Sequence, residues 1–289
     1  MKKIFLISCV LIFCIPNAIG QVMLESSSGD SSIVLHDAGT LSFNFAATSI
    51  KLGYHKVLST SPLRFGFEIK TASTEGFTSI FKGNEISLPE TTGTIFIGHK
   101  IELFSSKWGL IGANLEYKRG LYQLATVDTS GEISTTSKKF NGISSKAFFN
   151  LFFGGFILPG DSLWGIAVSY GLRNNYAQLD RVQVRETVET DSKGNSILKS
   201  TNARLGEYNE SNAVSINFDI IWYQRWTKNR IAIGILGRYD GYKDQFPFTP
   251  GIGIFVAKKG SPLLIVGGLT FELKDDKLGI GLHVGFPFK

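Results

Sequence analysis

Apolar residues alternate with small or polar residues in one segment of this chain after another. In the segment Lys277 to Lys289, every second residue from Leu278 to Phe288 is apolar, and the residues between are glycine, histidine or proline. A period of two predicts a β-strand with one apolar face. About twelve segments share this period, each close to the 9–11 residues that a tilted transmembrane strand needs. They are residues 39–47, 50–58, 63–72, 93–103, 108–119, 143–154, 163–174, 213–225, 229–239, 249–257, 262–273 and 278–288.

The amino-acid composition favours a membrane barrel over a soluble β-sandwich. The 289 residues include 23 Phe, 9 Tyr and 32 Gly, and the mean hydropathy is slightly positive at +0.08. Aromatic and glycine-rich strands of alternating polarity fit a barrel with an apolar outside and a wet inside. The formal net charge of +6 is small and dispersed along the chain, so it does not indicate a nucleic-acid partner.

The N-terminus has the features of an export signal. Met1-Lys2-Lys3 precedes an apolar run from Ile4 to Ile15, and Ala18-Ile19-Gly20 forms a cleavage site before Gln21. The run is short for a membrane-spanning helix, which takes roughly 20 residues. A retained anchor and a lipoprotein signal ending at Cys9 are the alternatives. We predict a cleaved signal peptide over residues 1–20, a periplasmic lead-in over residues 21–38 and an all-β, antiparallel, up-and-down outer-membrane β-barrel over residues 39–289.

The connections between the predicted strands alternate in length. Short connections at 59–62, 104–107, 158–162, 226–228 and 258–261 alternate with longer ones at 73–92, 120–141, 175–212 and 240–248. Short periplasmic turns and longer extracellular loops are typical of bacterial outer-membrane barrels. In the two longest loops, turn residues at Asp128–Gly131 and Asp191–Asn195 lie between β-prone flanks. These loops are therefore predicted to form hairpins that extend beyond the membrane.

All four tryptophans fall near the predicted periplasmic turns. They are Trp108, Trp164, Trp222 and Trp226. Tryptophan concentrates at membrane–water interfaces, so these residues are predicted to form one aromatic girdle.

The charged and polar residues of the strands lie on the face opposite the apolar one. Charges facing hydrocarbon would cost about 2–4 kcal/mol each near the midplane, so these residues are predicted to line the lumen. Either they form an ion-paired plug or they line a narrow channel, since twelve strands enclose less space than the 16–18 of general porins. The candidates are Arg64, Glu68, Lys70, Lys100, Glu102, Asn114, Glu116, Lys118, Asn217, Asp219, Arg238, Glu272 and His283.

Motifs that would indicate catalysis or cofactor binding are missing from the sequence. Cys9 and Cys14 both lie in the predicted signal peptide, which leaves the mature chain without thiols. None of the four histidines occurs in a zinc-protease or serine-hydrolase motif, and no cluster has metal-ligand spacing. We therefore predict no catalytic residues, no cofactor and no metal.

The chain resembles the small outer-membrane β-barrel proteins common in Bacteroidetes-type bacteria. The resemblance rests on the signal ending before Gln21, the alternating strands over about 39–288, and the terminal sequence G-L-H-V-G-F-P-F-K. In such proteins the last strand usually ends in an aromatic residue that the barrel-assembly machinery recognises. Here Phe288 is penultimate and Lys289 follows. The resemblance implies a location in the outer membrane, with membrane lipid and the assembly machinery as partners.

Three functions fit these predictions. The first is a porin-like barrel that acts as a narrow pore or passive transporter for small solutes. The second is a structural or binding barrel that displays the extracellular loops 120–141 and 175–212, or a component of an envelope complex. The third is an outer-membrane hydrolase, which the lack of a serine–histidine motif disfavours.

Overall fold

A computed structural model describes most of the chain after residue 38. The described residues are 39–44, 49–57, 62–72, 81–82, 85–86, 90–104, 107–128, 131, 133–154, 161–190, 196–228, 230–242, 248–258, 261–274 and 277–288. The predicted signal peptide and the lead-in lie outside them. Within these ranges, no helix has both the length and the apolar character needed to cross a membrane.

The described residues form sixteen strands and two short 3-10 helices. The strands are β1 (Gly39–Asn44), β2 (Ser49–Val57), β3 (Leu63–Ala72), β4 (Phe81–Lys82), β5 (Glu85–Ile86), β6 (Glu90–Phe104), β7 (Lys107–Val127), β8 (Ile133–Gly154), β9 (Asp161–Asn174), β10 (Asp180–Thr190), β11 (Ser196–Leu205), β12 (Glu210–Tyr223), β13 (Ile231–Asp240), β14 (Phe248–Lys258), β15 (Ser261–Lys274) and β16 (Lys277–Phe288). The 3-10 helices are Tyr176–Gln178 and Arg225–Thr227.

Twelve of these strands pair in a complete ring. Following the chain, the ring runs β1, β2, β3, β6, β7, β8, β9, β12, β13, β14, β15 and β16, and every neighbouring pair is antiparallel. The last strand closes it, because β16 pairs with β1 from Gly39 opposite Phe288 to Asn44 opposite His283. The described strands therefore form an antiparallel up-and-down barrel, which confirms the predicted fold class and strand number.

Wherever the side chains of the ring strands are described, the outer surface of the barrel carries their apolar face. Along β3 and β12, exposed and buried residues alternate, and the exposed positions include Phe65, Phe67 and Phe218. On β6, Ile95 is 67% exposed and Ile97 is 57% exposed. A continuous exposed apolar surface of this kind is rare on soluble monomers and is the surface that a membrane barrel presents to lipid. Period-two alternation was therefore a sound guide to the outer face.

Two hairpins extend the sheet at one end of the barrel. β7 and β8 stay paired up to Val127 opposite Ile133, whereas β6 stops pairing with β7 at Gly120. β10 and β11 pair with each other, and β11 joins β7 in parallel at Leu124 and Ala125. Both predicted hairpins are confirmed. A third, two-stranded pairing of β4 with β5 was not predicted.

In β8, phenylalanines occur on both faces of the strand, so its sequence alone does not show which face points outward. Phe149 points outward and is 38% exposed, while Phe148 points inward and is buried. Phe148 packs against Phe96 of β6, with ring centroids 5.7 Å apart. Both faces are apolar here because the inner face joins a hydrophobic cluster inside the barrel.

Candidate functional site in the barrel interior

The predicted lumen residues with described side chains all occupy the inner face of their strands. They lie on β3 (Arg64, Glu68, Lys70), β6 (Lys100, Glu102), β7 (Asn114, Glu116, Lys118), β12 (Asn217, Asp219), β13 (Arg238) and β15 (Glu272). The backbone of His283 belongs to β16, but its side chain lies outside the described residues. That these residues line a conducting passage stays a prediction.

One ion pair is almost completely removed from solvent. Arg238 Nη1 lies 2.6 Å from Asp219 Oδ1, and Asp219 is 0% exposed. The contact lacks the alignment of a good hydrogen bond, so it acts as a charge pair. Arg238 Nη1 also donates to the carbonyls of Gly237 (2.9 Å) and Phe218 (3.1 Å). Burial of two charges is tolerated only when they compensate each other, so each of these residues depends on its partner.

Some members of a second group, which contains seven charged residues and one asparagine, are open to water. It consists of Lys51, Glu68, Lys70, Lys100, Glu102, Asn114, Glu116 and Lys118, and we refer to it as the polar wall. These residues share the inner face of β2, β3, β6 and β7. Opposite charges in it lie close together: Lys51 Nζ is 3.4 Å from Glu68 Oε2, and Lys100 Nζ is 3.5 Å from Glu102 Oε1. The Lys100 side chain is 32% exposed and that of Glu102 is 86% exposed, so this end of the polar wall is hydrated.

The opposite half of the interior is filled by apolar side chains near the short turns. We refer to this cluster as the apolar plug; it contains Leu163, Ile221, Tyr223, Ala232, Phe255 and Ala257, with Trp108 and Phe152 packed against it. A second cluster of Phe96, Leu110, Phe148 and Ala167 continues it towards β6. The sequence did carry a signal for the plug, because apolar residues occupy positions on the otherwise polar face of several strands.

The ring of Phe255 fits into a slot formed by three glycines of neighbouring strands. A Cβ atom added to Gly234, Gly253 or Gly268 would lie 2.5 Å, 2.5 Å or 2.4 Å from a ring atom of Phe255. Real Cβ atoms do not approach other atoms so closely. The ring can therefore lie against the wall only because β13, β14 and β15 lack side chains there.

The tryptophans do not form a single outer girdle. Trp164 and Trp222 are half-buried on the outer face, and Trp226 is 79% exposed in the turn after β12. Trp108 is on the inner face instead, where its ring stacks on Phe152 at 5.8 Å. The prediction is wrong for Trp108. This residue does lie near the turn end of β7, but it shares the even-numbered positions of the strand with Leu110, and these positions face the barrel interior. For the other three residues the girdle stays a prediction.

Aromatic side chains also gather at the end of the barrel that carries the hairpins. Tyr122 of β7 and Tyr176 of the first 3-10 helix stack with ring centroids 4.2 Å apart. Phe140 and Tyr208 pack against the same Tyr122 ring. The Tyr176 hydroxyl donates to the carbonyl of Gln123 at 3.3 Å. These contacts attach the segment after β9 to the rim formed by β7 and β8.

Glu90 joins this aromatic rim to the polar wall. Its carboxylate lies 2.8 Å from Lys118 Nζ and accepts a 3.0 Å hydrogen bond from the Tyr122 hydroxyl. Burial alone would raise the pKa of Glu90, but Lys118, Lys70 and the Tyr122 hydroxyl together hold that pKa below its usual value. The exposed apolar residues around the outside of the barrel form a band, which we refer to as the apolar belt. Glu90 lies beyond this belt, at the level where exposed Arg119 appears on the outer face. The carboxylate is therefore a charged link outside the exposed apolar surface.

Substitution of Glu90 by Gln should weaken the dependence of stability on pH. Because the pKa of Glu90 is lower in the folded state, its stabilising contribution is present above the unfolded pKa of about 4.3 and is lost as the pH falls through the folded value. Denaturant midpoints of refolded protein at pH 7 and pH 3 would measure this. E90Q should narrow the difference between the two midpoints, whereas E207Q, at an exposed position, should not. Equal differences in E90Q and the unaltered protein would contradict the role given to this carboxylate.

The described residues do not include a group of three or more His, Cys, Asp and Glu that could hold a metal ion. His99 is exposed on the outer face of β6. The side chains of His36, His55 and His283 lie outside the described residues. The structure thus brings no histidine together with a nucleophile among the side chains that it describes.

Comparison with known proteins gives a likeness of architecture only. No family model matches the chain, and no curated protein matches it. Among solved structures, it is similar to a KdgM porin (TM-score 0.42, 8% identity, covering 87% of this chain and 99% of that chain) and to the NanC porin (0.42, 9%, 87% and 98%). It is also similar to the beta domain of the Bordetella autotransporter BrkA (0.36, 11%, 86% and 96%). TM-scores below 0.5 carry no argument, so the fold rests on the strand pairing described above.

Proposed function

We propose that this chain is an outer-membrane β-barrel that acts as a narrow pore for small solutes. The observation that carries the proposal is the polar wall, whose partly exposed charged side chains occur near both ends of the barrel. At the hairpin end, the Lys118 side chain is 27% exposed, and at the turn end Lys100 and Glu102 reach solvent. The water-filled channels of porins are lined by polar side chains, and the positive and negative side chains of the polar wall form a lining of this kind.

The passage is narrow because side chains occupy much of the interior. The apolar plug fills the β9, β12, β13 and β14 side near the short turns. Between the two ends of the polar wall, Phe96 is only 3% exposed and Arg64 is 8% exposed. A solute following the wall meets its tightest point there. We therefore propose small ions and molecules as the solutes, because twelve strands enclose less space than the 16–18 of general porins.

The outer membrane is the proposed location. The exposed apolar belt supports contact with lipid, and the predicted signal peptide supports export. We also propose that the barrel-assembly machinery recognises β16. This strand pairs with β15 on one side and with β1 on the other, so its insertion completes the ring.

Planar-bilayer recording of the refolded protein tests the pore. Discrete conductance steps are expected from the unaltered protein. K70Q removes a positive charge from the polar wall, so the channel should become more cation-selective. The reversal potential measured in a salt gradient should shift accordingly. K139Q is the matched control, since Lys139 is exposed on the outer face of the β8 extension. An absence of conductance steps at every voltage would contradict the pore.

A binding or structural barrel is the second candidate. It is favoured by the two hairpins, which remain regularly paired beyond the barrel instead of ending as short loops. Such a protein would fold and display its hairpins without conducting ions. No described group of side chains supports the hydrolase alternative.

A further inference from the structure

A cavity of about 360 Å³ lies against the hairpin of β10 and β11, outside the apolar belt. The described residues that line it are Tyr176, Arg181, Val182, Gln183, Asn202, Ala203 and Arg204. These seven residues include two arginines and two amides and no acidic side chain. The described part of the lining is thus rich in hydrogen-bond donors and positively charged.

Strand register places the donors together. Arg181 is directly opposite Arg204, and Gln183 is directly opposite Asn202. Directly opposite residues of an antiparallel pair have Cβ atoms about 4.5–5.5 Å apart, and like charges in this position repel each other. Positions two apart on a strand share a face, so the amide pair lies next to the arginine pair. This part of the hairpin therefore concentrates positive charge at a small site.

Arg204 makes two described contacts with the barrel rim. Its Nη1 donates to the carbonyl of Leu179 at 2.5 Å, and its guanidinium carbon lies 5.7 Å from the centroid of the Tyr176 ring. Tyr176 is itself fixed by stacking on Tyr122. A guanidinium fixed before binding loses less conformational entropy when a ligand arrives. Arg181 is exposed and can close on a ligand from the opposite strand.

We propose that this cavity binds an oxyanion, the carboxylate or phosphate group of a small solute. Guanidinium groups match both anions by paired hydrogen bonds, and Arg181 and Arg204 lie directly opposite each other on the two strands. The side-chain amides of Gln183 and Asn202 supply further donors for the same group or for neighbouring hydroxyls. The site lies on the hairpin and not on the polar wall, so binding does not depend on conduction.

Isothermal titration calorimetry of the refolded full chain in detergent, at low chloride, tests the site. Sodium phosphate and sodium glucuronate are the probes, and glucose is the neutral control. Binding of either anion with one site per chain is expected, and the stronger of the two identifies the preferred group. R181Q should weaken binding roughly tenfold or more, since it removes hydrogen bonds to a charged group. R119Q, an exposed arginine on the outer face of β7, should bind like the unaltered chain.

Failure of both anions to bind the unaltered chain would overturn the proposal, as would equal binding by R181Q and R119Q. R204K is a second variant, because lysine keeps the charge but not the paired geometry. It should bind more weakly than the unaltered chain, and unchanged binding would count against the arrangement proposed here. A chain that binds anions but gives no conductance steps would contradict the pore and leave this site in place.

Discussion

R238M should lower the free energy of unfolding by about 3–5 kcal/mol, because it removes the positive charge that contacts a buried carboxylate. Asp219 is 0% exposed and lies 2.6 Å from Arg238 Nη1, so no bulk water can replace the lost charge. Methionine fills most of the volume of the arginine stem, which keeps the packing change small. Denaturant unfolding of protein refolded into lipid vesicles measures the loss.

The double variant D219N/R238M separates the loss of charge balance from any loss of packing. Since asparagine carries no charge, the double variant should regain a large part of the stability that R238M loses. R230M provides a control at an exposed arginine near the turn before β13. If the double variant were no more stable than R238M, the buried charge would not be the cause of the effect.

F255A should destabilise the barrel and widen the passage. Phe255 is 1% exposed and belongs to the apolar plug, so truncation removes a buried ring and leaves a void. Phenylalanine-to-alanine substitutions in cores cost about 3–5 kcal/mol. Because this void adjoins the barrel interior, the single-channel conductance should rise as the stability falls. Unfolding in vesicles and planar-bilayer recording on the same preparation measure the two effects.

The matched control for F255A is F218A, which truncates an outward-facing ring that is 38% exposed. F218A should leave the conductance unchanged, since the residue faces lipid. A loss of stability in F255A without any change in conductance would show that solutes pass along the polar wall alone. In that case the plug serves only to hold the strands together.

The outward-facing side chains of the barrel could be predicted from the sequence, because contact with lipid imposes a simple rule. Each transmembrane strand must present an apolar residue to hydrocarbon at every second position. Phe65 and Phe67 on β3 follow the rule, and so do Ile95 and Ile97 on β6. The strand number and the closing pair of β1 with β16 followed from this repetition.

The inward-facing side chains follow no such rule. Leu163 and Tyr223 are apolar and fully buried on the inner face, on strands whose outer face is also apolar. Where both faces of a strand are apolar, alternation does not show which face points into the barrel. For Trp108, the side follows from its even-numbered position in β7, which it shares with the inward-facing Leu110. The Asp219–Arg238 pair also depends on register, because Arg238 is opposite Asn217 and reaches the carboxylate diagonally.

The anion cavity was beyond sequence analysis for a different reason. The pairing of β10 with β11 was predictable from the turn residues between them, but the position of this strand pair depends on a parallel contact of Arg204 and Leu205 with Leu124 and Ala125. This contact joins segments about 80 residues apart in the chain and has no periodic signature. Without it, the two arginines would be an exposed cross-strand pair like many others.

The glycine slot around Phe255 makes the calibre of the barrel depend on residues that contribute no side chain to it. A single methyl group at Gly234, Gly253 or Gly268 would displace the ring from the wall. Because Phe255 lies on the inner face of β14, a ring displaced from the wall would move inward. Exchange of glycine for alanine on β13, β14 or β15 would then narrow the bore and leave every lining charge in place. In the proposed pore, size exclusion and charge preference would therefore change independently.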